Sequence, residues 1–339
     1  LYNLDAKDWA KSDDWRRMQG EALERLGHGP LRTPSRRMLE GPGFRLLDHG
    51  GEGPPVLLLP APIKRAYIWD LNERASVVRR CLENGCRVLL LEWIEDERIN
   101  QAGLAWHACD VPLACAEAIR AETGDWPAIV GHSLGGTFAA IFAALYPQCL
   151  RGVVLVAGPV RFGPAAGPLG TLVASSPPAG IVTAGLERVP GRMLNMAAAT
   201  ASPEEFIWWR MADWAASLAD PPAMRLHMQV MRWSMDEFAM PVRLFREVME
   251  LLYRRDLFHR GRLVLGGRLA RPRLSVPLFS VVDPVGTIVP PSSILGLSPD
   301  RCEEYEGDHG VGLRHVGMLV GASAQRRLWP RIIRWMHDL

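Results

Sequence analysis

Short, unbroken apolar runs punctuate this chain, and amphipathic stretches separate them. Phe44-Arg45-Leu46-Leu47, Val56-Leu57-Leu58-Leu59 and Arg87-Val88-Leu89-Leu90-Leu91-Glu92-Trp93 are each too short for a buried helix. They read as strands, the first two divided by the turn cluster Gly50-Gly51-Glu52-Gly53-Pro54-Pro55. Helical spacing predicts helices from Ser76 to Asn84 and from about Asp110 to Glu122. A strand at Trp126–Val130, a helix at Thr137–Tyr146 closed by Pro147, and a strand at Gly152–Ala157 follow. Apolar strands alternating with helices predict an α/β protein whose mostly parallel sheet is covered on both faces.

That alternation lapses between Arg161 and Arg262, where no strand is evident and Met and Trp recur, among them Met193, Trp208, Trp209, Met211, Trp214, Met231 and Trp233. Most such residues are expected to form core. Met and Trp also suit a surface that adapts to an acyl chain, because Met is flexible and polarizable. This segment is read as an inserted α-helical cap. A strand at Pro277–Asp283, with an acid at its carboxyl end, resumes the pattern, followed by a strand near Cys302–Tyr305 and a closing helix from Ala324 to His337. At the other end, Asp5–Arg37 carries Trp9, Trp15, Met18, Leu23 and Leu26 at mostly helical spacing, which predicts an amphipathic arm. The division is therefore a helical arm (1–40), a first core segment (41–160), a cap (161–262) and a second core segment (263–339).

Between the Trp126–Val130 strand and the helix after it lies Val130-Gly131-His132-Ser133-Leu134-Gly135-Gly136. Strand, G-x-S-x-G, helix is the context of a nucleophile elbow. The turn needs Gly131 and Gly135, where a side chain would strike the neighbouring strand or helix, and it lifts the Ser133 hydroxyl above the sheet. The helix N-terminus behind Ser133 favours developing negative charge.

Composition narrows the field. The 39 basic and 37 acidic residues leave a net charge of +2, so no nucleic-acid partner is implied. Six scattered cysteines lack C-x-x-C or paired ligand spacing, which fits free thiols in a reducing, cytoplasmic compartment. No basic-then-apolar leader is read at the start, although Leu1 is not a start residue. The low-charge run from Gly163 to Leu186 is broken by Pro164, Pro168, Pro177 and Pro178, so no transmembrane segment is expected. No H-E-x-x-H, G-x-G-x-x-G or P-loop occurs, so neither metal nor nucleotide cofactor is expected.

Three further segments carry a resemblance. Leu59-Pro60-Ala61-Pro62-Ile63-Lys64-Arg65-Ala66-Tyr67-Ile68-Trp69-Asp70-Leu71, the stretch from Leu252 to Gly267, and His315-Val316-Gly317-Met318-Leu319-Val320-Gly321 with Trp329-Pro330 behind it resemble the catalytic domain of poly(3-hydroxyalkanoate) synthases, within the α/β-hydrolase superfamily. The likeness runs from about Pro54 onward and implies the α/β-hydrolase fold. Two departures stand out. The synthases carry Cys at the elbow where this chain has Ser133, the residue usual in esterases, thioesterases and lipases. The family's acid position falls on Gly286, with Asp283 three residues earlier.

The resemblance assigns roles in the superfamily's Ser, Asp, His order. Ser133 is the nucleophile, His315 the base and Asp283 the orienting acid. His309 competes for the base and Asp308 for the acid. His132 is expected to pack or hydrogen-bond, not to react. The oxyanion donors are expected to be the backbone N–H groups of Leu134 and of Ile63, with Ala61 second, because Pro60 and Pro62 have none. The expected activity is acyl transfer through an acyl-enzyme on a hydroxyacyl or fatty acyl ester or thioester, mainly hydrolysis. Transfer from CoA or a carrier protein to an alcohol or amine is the alternative, and a non-catalytic granule- or partner-binding protein is a third reading. A homodimer is left open.

Overall fold

The computed structural model of the chain describes residues 6–308, 311 and 313–339. Its frame is an 8-stranded sheet. In chain order the strands are β1 (Arg36–Gly41), β2 (Phe44–Asp48), β3 (Pro55–Leu59), β4 (Arg87–Trp93), β5 (Ala128–His132), β6 (Gly152–Val156), β7 (Leu278–Val282) and β8 (Arg301–Glu304). Across the sheet they run β1-β2-β4-β3-β5-β6-β7-β8. The β1–β2 and β2–β4 pairs are antiparallel and all others parallel. Every residue of β3, β5, β6 and β7 is buried, as an apolar run covered on both faces requires.

The period of two along β3 divides the core. Leu57 and Leu59 face the layer of Phe138 and Phe142, while Val56 and Leu58 face Trp69, Trp329 and Ile332. The first layer is built by α3 (Val111–Thr123) and α4 (Leu134–Leu145), and α2 (Val77–Glu83) lies on the second. Ser76 caps α2, its hydroxyl accepting from Arg79 N at 2.9 Å.

The predicted arm is shorter than expected. Its helix, α1, covers Ala6–Leu23, and Arg36 and Arg37 begin β1, an edge strand. With only Met38 and Leu39 apolar, β1 carries no strand signal, and its charges are those of an exposed sheet edge. Asp5 lies outside the described residues.

The segment between β6 and β7 is largely helical, with α5 (Gly191–Ala201), a wider helical turn at Glu204–Trp209 running into α6 (Arg210–Ser217), and α7 (Pro221–Ser234). It also holds a ribbon that the sequence does not announce, Arg188–Val189 paired with Met240–Pro241. Its aromatic and Met residues are not all core. Trp233 and Met240 are buried, but Ile207, Trp208, Met211, Trp214 and Leu218 are exposed along one side of the 204–218 run. Helix α1 is tied to this segment by Asp13, which accepts from the Gly191 and Arg192 N–H groups at 2.9 and 2.8 Å, and by Arg16, which pairs with Glu237. Among the described residues no helix is long and apolar enough to cross a membrane.

Candidate active site

Ser133 sits between β5 and α4 with φ 55° and ψ −129°, a conformation costly for any residue with a side chain. Its N–H donates to the Val156 carbonyl at 3.0 Å, and its carbonyl accepts from Gly136 and Thr137 N–H. The glycines make the turn sterically feasible. A Cβ on Gly131 would lie 2.4 Å from the Gly135 carbonyl oxygen, and one on Gly135 would lie 2.2 Å from the Leu59 carbonyl oxygen. The loop after β3 therefore lies directly on the first turn of α4.

That loop is fixed from the inserted segment and from β4. Phe238 N–H donates to the Ile63 carbonyl at 2.9 Å, and the Trp93 indole N–H donates to the Pro60 carbonyl at 2.8 Å. Lys64 Nζ donates to the Ser234 carbonyl at 2.6 Å and to Glu237 at 3.1 Å. Burial lowers the Lys64 pKa to about 8, with Glu237 pulling the other way. The Ile63 and Ala61 N–H groups are thus carried on a braced loop next to Leu134, the first residue of α4.

His315 opens α8 (Arg314–Val320). Its ring lies against that of His132, the residue before Ser133, with centroids 4.5 Å apart. His132 Nε2 is 3.1 Å from the His315 carbonyl oxygen. A carbonyl only accepts, so His132 is the Nε2–H tautomer. Burial, reinforced by His315, holds His132 well below the ordinary imidazole range. His132 also packs edge-on to Trp69, which agrees with the packing role expected for it. Burial lowers His315 to about 4, so its imidazole is neutral at pH 7. His309 lies outside the described residues.

The expected hydrogen bond between Asp283 and His315 is absent among the described residues. Asp283 follows β7 and is 3% exposed, but both its oxygens are taken by Arg314, Oδ2 from Nε and Oδ1 from Nη2 at 2.9 Å. Oδ1 also accepts from Val285 N–H at 3.1 Å. The physical reason is the bidentate match of guanidinium to carboxylate, which a neutral imidazole cannot equal. Asp308 does not replace it. Its oxygens accept from Tyr305 Oη, Ser323 N–H and Ser323 Oγ at 2.6–3.0 Å. The structure thus lays His315 against His132, the residue before Ser133, and leaves Asp283 on Arg314; no hydrogen bond joins Ser133 Oγ to the His315 ring among the described residues. Arg314 and the Lys64–Glu237 brace escape sequence reasoning, since an Arg or Lys carries no positional signal until its partner is known.

Comparison with known proteins agrees with this architecture. A family profile described as alpha/beta hydrolase fold matches residues 105–209, the stretch that contains the elbow. The poly(3-hydroxyalkanoate) polymerase subunit PhaC of Haloarcula marismortui is 25% identical over 88% of this chain. That of Synechocystis sp. is 25% identical over 84% of this chain and 78% of its own length. This chain has the α/β-hydrolase fold and is similar to poly(3-hydroxyalkanoate) polymerase subunits over most of its length. It spans 64% of the Haloarcula protein and 58% of its Haloferax mediterranei counterpart. Among solved structures, a lipase described from Sulfolobus solfataricus superposes over 90% of this chain and 93% of its own, with TM-score 0.54 and 15% identity. Naproxen esterase from Bacillus subtilis covers 98% of this chain and 100% of its own, with TM-score 0.54 and 14% identity. At those identities the likeness is one of fold.

Proposed function

We propose that this chain is a serine-nucleophile acyl-transfer enzyme acting through an acyl-enzyme on a hydroxyacyl or fatty acyl ester or thioester, with hydrolysis as its main outcome. The observation that carries the reading is the positive φ of Ser133 at the β5–α4 turn, where G-x-S-x-G places the hydroxyl at the head of α4. Ser133 Oγ attacks the acyl carbonyl. His315 accepts the proton and returns it to the leaving group. Leu134 N–H and a second N–H from the β3 loop, Ile63 with Ala61 as alternate, stabilise the oxyanion, each at about 3 kcal/mol. Water then releases the acid. The residues 161–262 act as a cap whose apolar surface receives the acyl chain, and the unpaired cysteines suit a reducing compartment such as the cytoplasm.

A second reading is transfer of the acyl group from CoA or a carrier protein to an alcohol or amine. It is favoured by the relatives' description as poly(3-hydroxyalkanoate) polymerases. The two share the acyl-enzyme and differ in the acceptor. Fluorophosphonate labelling followed by intact-mass measurement tests the nucleophile. One adduct is expected on the native chain and none on Ser133→Ala, and an adduct that persists on the variant removes Ser133. Incubation with acyl thioesters, with and without an alcohol acceptor, separates free acid from conjugated product.

A further inference from the structure

Arg314 pairs with one carboxylate and lies within the field of a second. Its Nε and Nη2 hold Asp283, and Nη2 also donates to the Glu306 carbonyl at 2.8 Å. The indole of Trp209, from the inserted segment, covers the guanidinium at 5.4 Å. Four residues before Trp209 is Glu205, 1% exposed. Glu205 Oε1 accepts from Thr287 N–H, Thr287 Oγ1 and Ile288 N–H at 2.7–3.1 Å, so this turn grips the loop that follows Asp283. Its other oxygen, Oε2, is buried without a hydrogen-bond partner among the described residues. A buried carboxylate oxygen left unpaired is expensive, and Glu205 lies within electrostatic range of Arg314.

We propose that Arg314 is a positioning residue that withholds Asp283 from His315 in this arrangement and releases it by moving to Glu205 Oε2. The exchange replaces one Arg–carboxylate pair by another, and the released Asp283 keeps the Val285 N–H and takes a ring N–H of His315 in place of the guanidinium. It satisfies the orphaned oxygen and frees Asp283 to orient the His315 imidazole. The cap turn that carries Glu205 and Trp209 sets the exchange, so its position governs the acid. Among the described residues His132 from β5 lies against His315, and Tyr305, which holds Asp308, lies beside Arg314. Asp308 is committed to Tyr305 and Ser323 and offers no substitute. The inference rests on the serine-enzyme reading above.

Two substitutions push in opposite directions. Arg314→Gln removes the withholding charge and is expected to raise kcat/KM on a p-nitrophenyl ester about tenfold while shifting the acid limb of its pH profile upward, as a freed carboxylate stabilises the imidazolium. Glu205→Gln keeps the Oε1 contacts and removes the second anionic partner. It is expected to lower kcat about tenfold without moving that limb. Both effects should vanish in an Asp283→Asn background. Folded Arg314→Gln with unchanged or reduced kcat/KM and an unmoved limb overturns the proposal. If Arg314→Gln does not fold, Glu205→Gln decides, and an unaltered kcat there overturns it equally. Fluorophosphonate labelling runs alongside. Loss of Ser133 labelling from the native chain defeats the enzyme reading, whereas labelling with no effect of either variant defeats the exchange alone.

Discussion

The protonation of His315 offers a direct test of the site through pH. The working base is the neutral imidazole, and kcat/KM follows the free enzyme's ionisation. Burial lowers this histidine from the usual 6.5 to about 4, and no carboxylate hydrogen-bonds it among the described residues. At pH 5 an ordinary imidazole is only about 3% neutral, whereas one with a pKa near 4 is about 90% neutral. Activity of the free enzyme should therefore persist almost undiminished to pH 5 and fall to half near pH 4. The sign follows from desolvation, which penalises the charged form of a histidine and so delays protonation as pH falls. The assay is kcat/KM on a short p-nitrophenyl ester from pH 4 to 8, with product followed chromatographically where the phenol is protonated. Fluorescence of the 12 tryptophans at each pH confirms that the fold persists. A half-point near 6.5 with the fold intact would refute the reasoning, because it would mean that His315 is hydrated, is paired with a carboxylate in the free enzyme, or is not the base.

Other perturbations probe the frame around the site. His107 is 1% exposed against Trp93 and Trp106, and burial lowers it to about 4. The unfolded chain takes up this proton below pH 6.5 and the folded chain resists until about 4, so its contribution is complete above 6.5 and fades on acidification. Urea unfolding of His107→Phe should accordingly lose about 2–3 kcal/mol less between pH 7 and 4.5 than the native chain, and identical losses would contradict this. Gly131→Ala places a methyl 2.4 Å from the Gly135 oxygen, where the contact is backbone and cannot yield cheaply. A loss of about 1–3 kcal/mol, read by denaturant midpoint, is expected together with reduced fluorophosphonate labelling. Asp308→Asn, which disturbs the Tyr305 and Ser323 bonds, should cost about 1–3 kcal/mol of stability but leave kcat nearly intact, and a large fall in kcat in a folded variant would restore Asp308 as the acid.

Hydrophobic runs alone located most of the sheet. β2 to β7 coincide with apolar segments to within a residue or two, because a strand covered on both faces must be apolar throughout and Gly and Pro must break the chain between strands. The elbow was legible for a related reason. G-x-S-x-G between a strand and a helix meets a steric demand that few other residues satisfy, and the backbone at Ser133 has the strained conformation that demand implies. β1 escaped because an edge strand is half solvated and carries charge. The exposed stripe from Ile207 to Leu218 escaped because periodicity marks an apolar face without saying what covers it.

Pairing of charges belongs to the tertiary structure. Nothing in the order of residues shows whether Asp283 turns to His315 or to Arg314, its immediate neighbour on α8, because both reach the end of β7 on the same turn of chain. The choice is settled by the guanidinium's two-point fit and by what stands around it, Trp209 above and the Glu306 carbonyl beside it. Glu205, about eighty residues before Asp283 in sequence, becomes relevant only once the inserted segment is laid on the β7 loop. Sequence alone determined the layers, the strained turn and the residue types available for chemistry, through local sterics and the burial of apolar surface. Which acid faces which base was decided by packing between segments far apart in the chain, where a movement of a few ångströms exchanges one charged partner for another.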